Sequence, residues 1–302
     1  MIVFHSLDEV HIDGDTAVTV GKFDGFHIGH RTLLNAVSSE RFSGLRSLVL
    51  SLDFSPFTEE PQKKILTEEE TLMLLSSKGV DYLFILPLTK DLSNMSPEDF
   101  VSEILIGRLH AKVIFSGEDF TFGSMARGNT ELLSRLSPKY GFRSVVLPNV
   151  FAEGMEVKSS RIRSFLSKGK IGDANAFLGR DYEISGEVVH GRGIARTFGF
   201  PTLNIIPDEE KLLPRFGVYA AIIEIDGNLY EGMANIGVKP TLTDGESTLL
   251  EAHLFDTDGD FYGKTARVSF KAFVRPERKF ESTDALKTAI LGDVREVREI
   301  FS

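Results

Sequence analysis

The stretch Gly21-Lys22-Phe23-Asp24-Gly25-Phe26-His27-Ile28-Gly29-His30 sets two imidazoles three residues apart behind a pair of glycines. It follows an apolar run and opens a helical pattern. On a first helical turn, His27 and His30 point roughly the same way. Glycines at 21 and 25 let the backbone approach a ligand, and a helix start offers unpaired amides to phosphate. Two imidazoles there can hydrogen-bond a triphosphate and stabilise charge that builds as its α-phosphate is attacked. Phe23 and Asp24 complete this candidate nucleotide loop. The competing readings are packing or capping histidines, and a zinc site. Two histidines without a third partner nearby make a poor zinc site.

Three further stretches carry candidate chemistry. In Val157-Lys158-Ser159-Ser160-Arg161-Ile162-Arg163, the hydroxyls of Ser159 and Ser160 at a helix start, with Arg163, can bind a polyphosphate. In Ser116-Gly117-Glu118-Asp119-Phe120-Thr121-Phe122-Gly123, two aromatics can hold a flat ring with Asp119 as a polar anchor. Gly191-Arg192-Gly193 leads through Phe200-Pro201-Thr202-Leu203-Asn204. The glycines there can form an amide nest for phosphate. Thr202 and Asn204, two apart in an extended segment, share a face and suit a hard cation such as Mg2+. Glu251 sits inside a β-like run. It is either a solvent-face residue or, if it faces that cation, a general base on an alcohol. Asp256-Thr257-Asp258-Gly259-Asp260 reads as a turn, because its glycine comes too early for a calcium loop.

These groups need two kinds of scaffold. Apolar runs at 17–20, 48–52, 82–86, 113–115 and 144–147 alternate with helical stretches. Thr67 with Glu70 reads as a capping box, and Ser96-Pro97 as a helix start. Such alternation predicts a doubly wound parallel sheet that binds ligands beyond the carboxyl ends of its strands. From about Tyr182 the pattern changes to short β-like runs at 187–189, 218–225, 229–235, 249–254 and 266–273, with Asp226-Gly227-Asn228 as a hairpin turn. This predicts an antiparallel barrel or sandwich. A last helix over Thr283–Phe301 carries Leu286, Ile290, Val294, Val297 and Phe301 on one face, which should pack on the barrel. The join falls near Gly179, a helix-ending glycine after Ala176, Phe177 and Leu178. The expected domains are 1–180 and 181–302.

With 302 residues the chain suits two domains. It holds no cysteine, so thiolate chemistry and disulfides are excluded. A net charge of −10 argues against a general grip on nucleic acid. No apolar stretch approaches the roughly 20 residues of a membrane span, and no leader is expected at Met1-Ile2-Val3-Phe4-His5. A cytoplasmic protein is the expectation.

The His-x-Gly-His spacing resembles the nucleotidyltransferase superfamily. The whole series, in order, resembles the bacterial bifunctional riboflavin kinase/FMN adenylyltransferases. It comprises the loop from Gly21 to His30, the Asp119 loop, Ser159-Ser160-x-Ile162-Arg163 and Leu178-Gly179-Arg180. It continues through Gly199-Phe200-Pro201-Thr202-x-Asn204, Phe216-Gly217-Val218-Tyr219 and Ala234-Asn235-Ile236-Gly237 with Pro240-Thr241. Glu251, Tyr262-Gly263-Lys264 and Arg275 complete it. The resemblance implies an N-terminal adenylyltransferase with a Rossmann-like sheet and a C-terminal kinase barrel. His27 and His30 would hold ATP and act in catalysis, with Gly21, Phe23, Asp24, Gly25, Ser159, Ser160 and Arg163 in the same ATP site. Phe54, Pro56, Asp119 and Phe120 would contact flavin. In the kinase, Gly191, Gly193, Pro201, Thr202 and Asn204 would bind ATP, with Thr202 and Asn204 on Mg2+ and Glu251 as base. Riboflavin, FMN and ATP would be the small-molecule partners, with FAD as final product and with no nucleic acid or membrane involved.

Three positions depart from the family pattern. Phe54-Ser55-Pro56-Phe57-Thr58 lacks the usual histidine and second proline, Lys158-Ser159-Ser160 replaces Ser-Ser-Thr, and Ala195 stands where glycine is common. A different nucleotidyltransferase would explain the histidines but not the second half. An aminoacyl-tRNA synthetase is opposed by the acidity and the lack of a basic helical domain. A non-catalytic flavin carrier has no use for the histidine pair or Glu251.

Overall fold

A computed structural model describes residues 1–57, 62–190, 200–240, 246–257 and 259–302. These residues form two compact units, Met1–Lys158 and Ser159–Ser302.

The first unit is built on a six-stranded parallel sheet. Its strands are β1 (Ile2–Phe4), β2 (Thr16–Gly21), β3 (Arg46–Asp53), β4 (Tyr82–Pro87), β5 (Ala111–Gly117) and β6 (Arg143–Leu147). The spatial order is β1-β4-β3-β2-β5-β6. Alternation sorts the side chains. Val18, Val20, Leu48 and Leu50 enter one core layer, while Ala17, Val49, Leu83 and Phe115 enter the other. Both faces are therefore apolar, which is why the strands read as continuous hydrophobic runs. The five expected strands are present. The sixth, β1, is a three-residue edge strand that pairs Ile2 with Tyr82 and was too short to show a pattern.

Helix α1 (Ile28–Ser39) follows β2, α2 (Glu68–Ser77) precedes β4, and α3 (Thr130–Tyr140) precedes β6. The capping box on α2 is complete: the Glu70 amide donates to Thr67 Oγ1 and the Thr67 amide donates to Glu70 Oε2. Ser96 caps the next helix start through the Asp99 amide at 3.1 Å, and the chain continues into π-helical turns over Phe100–Arg108. The chain leaves β2 toward β3 and β4 on one side, then returns to β5 and β6 on the other. The switch point lies between β2 and β5, whose carboxyl ends are Gly21 and Gly117.

The second unit begins with α4 (Ser159–Ser167) and α5 (Ile171–Leu178), the latter ended by Gly179 at φ +69°. Asn175 ties α5 to the barrel, donating to Phe270 O and accepting from the Tyr182 amide. The barrel strands are β7 (Tyr182–Val189), β8 (Leu203–Pro207), β9 (Gly217–Ile225), β10 (Asn228–Pro240), β11 (Glu246–Leu254) and β12 (Thr265–Pro276). They close antiparallel in the order β7-β8-β11-β10-β9-β12, which removes every open edge. Ile184, Ile205, Tyr219, Ile223, Leu250 and Phe270, all fully buried, fill it. Helix α6 (Thr283–Phe301) is capped by Ser282.

Closure demands close backbone approach at Gly217. Its φ is +152°, and an added Cβ would lie 2.2 Å from Arg275 O. Gly217→Ala is therefore expected to destabilise the barrel by roughly 3 kcal/mol through strain and overpacking. A lowered urea midpoint would register it; an unchanged midpoint would contradict the packing argument.

Candidate active sites

In the first unit, Gly21 ends β2 and the chain turns through a tightly held loop. The Phe23 and Phe26 rings stack at 5.2 Å and are nearly fully buried. Gly25 has φ +88°, and a Cβ there would meet Ile65 at 2.8 Å. Asp24 accepts the Ile65 amide at 3.2 Å. Asp24 and Gly25 thus fix the loop that presents the histidines.

His27 is the N-cap of α1, and its Nδ1 accepts the His30 amide at 3.3 Å. An accepting Nδ1 carries no proton, so the ring hydrogen of neutral His27 sits on Nε2. The two imidazoles stack at 3.7 Å and 16°. His30 also meets Phe23 edge-on at 5.0 Å, and its Nδ1 is buried with no hydrogen-bond partner among the described residues. Burial first, and the charge of His27 second, hold the His30 pKa well below the usual histidine value. At neutral pH His30 is an uncharged donor.

This has a consequence for stability. The unfolded chain takes up a proton at this residue near the usual 6.5, before the folded chain does. Stability therefore falls as pH drops from 6.5 toward the depressed pKa. His30→Gln is expected to flatten that part of the acid limb, measured as urea midpoints at stepped pH. An unaltered slope would mean His30 is not held neutral.

The Asp119 loop flanks the same switch point. Thr19 pairs with Phe115, so the histidine loop after β2 and the Asp119 loop after β5 leave neighbouring strand ends. Asp119 is exposed and pairs with Lys158 Nζ at 3.8 Å, which also holds Glu156 at 2.9 Å. Phe120 instead stacks on Phe122 at 5.4 Å and packs against the core. Phe54 and Phe57 are exposed, with Lys22 Nζ 5.8 Å from the Phe54 ring centre. Pro56 lies in the turn Ser55–Phe57, pinned by Asp53, which accepts from the Ser55 amide and hydroxyl. Thr58 lies outside the described residues. Ser159, Ser160 and Arg163 belong to the second unit, on the opening turns of α4, whose buried side is Ile162 and Leu166.

The second unit gathers its candidates in one cross-strand row. Asn204 registers with Glu251, Glu251 with Asn235, Asn235 with Val218, and Val218 with Arg275. Glu251 alternates with the fully buried Leu250 and Ala252, so it lies on the outer face of the barrel. That face is not open solvent. Helix α6 lies across it, enclosing a cavity of about 350 Å³ that Thr202, Asn204, Glu251 and Asn235 line. Its apolar lining comes from Phe200, Val218, Met233, Leu286 and Ile290. The last helix packs on the barrel as expected, through Val294, Val297 and Phe301, while Leu286 and Ile290 on the same face line this cavity.

His253, on the same strand face as Glu251, is 2.8 Å through Nδ1 from Pro201 O, which ties the Pro201–Thr202 segment to β11. Burial lowers its pKa, so it too is neutral. Asn204 is nearly fully buried. Its amide oxygen and the Thr202 hydroxyl are neutral hard donors. Among the described residues no three His, Asp or Glu side chains gather as a metal cage. This donor set fits Mg2+, which keeps waters and phosphate oxygens in its shell. Gly191, Gly193 and Ala195 lie outside the described residues.

Comparisons with known proteins show which family the chain belongs to. A family model described as FAD synthetase matches residues 9–161, and one described as riboflavin kinase matches residues 178–301. Bifunctional riboflavin kinase/FMN adenylyltransferases align over nearly the full length. The one from Buchnera aphidicola is 34% identical over 99% of this chain and 96% of its own. That from Escherichia coli K12 is 33% identical over 98% and 96%. The chain belongs to this bifunctional family. It phosphorylates riboflavin to FMN with ATP, through the C-terminal kinase domain. It then transfers AMP from ATP to FMN through the N-terminal domain, giving FAD and pyrophosphate.

A crystal structure from Streptococcus pneumoniae, described as a macrolide-efflux protein, shares the fold with TM-score 0.88 and 30% identity over 98% of both chains. Among the described residues of the present flavin enzyme, no helix is long and apolar enough to cross a membrane.

The kinase/adenylyltransferase has cavity residues that the sequence did not mark as a site. Asn235 and Arg275 stood only inside quoted motifs. Asp293, which accepts two hydrogen bonds from Arg275, stood in none. The available signal for His253 was its spacing, two residues after Glu251 on one strand.

Proposed function

We propose that the cavity beneath α6 is the riboflavin kinase site and that the histidine loop is the adenylyltransferase site. The observation that carries the first assignment is the row Asn204–Glu251–Asn235 opening into one apolar cavity. The apolar walls suit a flat heteroaromatic ring, and a single carboxylate suits an alcohol.

In the kinase step Glu251 takes the proton of the ribityl 5′-hydroxyl. The oxygen attacks the γ-phosphorus of ATP, and ADP leaves. Thr202 and Asn204 would hold Mg2+, whose charge would offset that of the phosphates. Pro201, anchored through His253, sets the direction in which Thr202 enters. Gly191 and Gly193 are assigned to the nucleotide phosphates on their sequence alone.

In the adenylyl step an FMN phosphate oxygen attacks the α-phosphorus, and pyrophosphate leaves. His27 and the neutral His30 donate hydrogen bonds to the phosphates as negative charge shifts. Gly21, Phe23, Asp24 and Gly25 hold the loop. Ser159, Ser160 and Arg163 are assigned to the triphosphate on side-chain chemistry. For the flavin, the exposure of Phe54 and Asp119 favours them over Phe120, with Pro56 shaping the turn. Catalysis in both halves is mainly positioning and charge compensation. The functional division falls at 180/181, and the acidic, cysteine-free composition suits cytoplasmic work on riboflavin, FMN and ATP without nucleic acid or membrane.

The test is product analysis by chromatography from riboflavin, ATP and Mg2+, and separately from FMN, ATP and Mg2+. FAD is expected from both starts, and no FMN from riboflavin when Mg2+ is chelated. Undiminished FMN formation with the metal removed would overturn the roles given to Thr202 and Asn204.

A further inference from the structure

Helix α6 is held unevenly along its length. Its C-terminal half is anchored: Val297 is fully buried, and Val294 and Phe301 pack around it with Ala220, Phe255 and Met233. Its N-terminal half roofs the cavity through Leu286 and Ile290, yet the buried residues of the helix are Asp293 and Val297 alone. Apolar burial therefore does little to hold the roof in place.

Between the halves stands Gly292. No heavy atom lies within 4 Å of where its Cβ would be, so packing does not require a glycine there. Glycine inside a helix lowers the resistance to bending. The next residue, Asp293, is 5% exposed and accepts from Arg275 Nε and Nη2, both at 2.7 Å. Arg275 is itself fixed, with Nη1 donating to Pro276 O at 3.2 Å and the guanidinium 5.5 Å from the Phe280 ring centre. In the cross-strand row Arg275 stands three strands from Glu251, about 14 Å along the barrel at roughly 4.8 Å per strand. Arg275 and Asp293 line the same cavity as Glu251, with Arg275 three strands away from it in the row.

We propose that the Arg275–Asp293 clasp positions the N-terminal half of α6 over the cavity and so sets riboflavin affinity, taking no part in phosphoryl transfer. This rests on the reading of that cavity as the riboflavin site. Both are positioning residues: they act through the roof. If loss of the clasp leaves the roof closed a tenth of the time, apparent riboflavin affinity falls about tenfold.

The experiment uses the full chain and measures riboflavin KM, ATP KM and kcat of the kinase step for Asp293→Asn, Arg275→Lys and Asp293→Asn with Gly292→Ala. The expected result is a riboflavin KM raised about tenfold in the single variants, with ATP KM and kcat within about twofold. Stiffening the bend through Gly292→Ala should recover part of the loss. An unchanged riboflavin KM, or an equal rise in ATP KM, would overturn the clasp. Arg275→Lys keeps the charge and loses only the fork, so it serves if Asp293→Asn fails to fold. Leu286→Trp separates this proposal from the reading beneath it. If filling the cavity leaves riboflavin KM unchanged, the cavity is not the riboflavin site. If it raises KM while the clasp variants do not, the clasp alone fails.

Discussion

Glu251→Gln will stop FMN formation from riboflavin while FMN supplied directly is still converted to FAD. The substitution keeps the side-chain volume and its place in the row with Asn204 and Asn235. It removes only the ability to accept a proton. The expected loss is roughly 10²–10⁴-fold in kcat, the usual contribution of a general base. Both activities reside in one chain, so adenylylation serves as an internal control for folding of the first unit. A kinase rate within a few-fold of the parent would remove Glu251 from the chemistry and leave it a polar wall residue of the cavity.

His27→Asn and His30→Ala will abolish the second step and spare the first. The choice of asparagine at 27 is deliberate. His27 Nδ1 caps α1 through the His30 amide, so alanine would also cost about 1 kcal/mol of helix stability. Asparagine can cap as well, yet it offers no imidazole to phosphate. If the imidazoles stabilise transferring charge, FMN-to-FAD conversion should fall roughly 10²–10³-fold for each, with riboflavin phosphorylation unchanged. Melting temperature should stay near the parent value for His27→Asn. Full FAD output from these variants would reduce the pair to capping and packing groups.

The elements legible in the sequence were those whose causes are local. The Thr67–Glu70 box, the glycine ending at 179 and the Asp226-Gly227 turn each depend on residues within a few positions, and each is present. What decided barrel against sandwich was pairing of Tyr182–Val189 with Thr265–Pro276, strands far apart in sequence whose patterns suit either architecture. The strand Leu203–Pro207 hid behind a glycine-rich stretch, and β1 was too brief for alternation. The histidine loop was legible because its spacing is itself the chemistry. The cavity was not: a 3.6-residue pattern reports that Leu286 and Ile290 face inward, and cannot distinguish a core from a roofed void. Arg275 and Asp293 are ordinary surface residues by type, and only the fold brings them together.

Closure of the barrel has one more consequence. In an open sheet an edge strand can slip against its neighbour and leave the remainder standing. In a cylinder every strand has two neighbours, and a shift at one seam must be repaid around the whole circumference. The level at which Asn204, Glu251 and Asn235 meet is therefore quantised: the ring of strands either holds these three abreast or does not form. Selection on folding alone thus keeps the catalytic row aligned, and alignment drifts only as fast as the barrel can change its stagger as a unit.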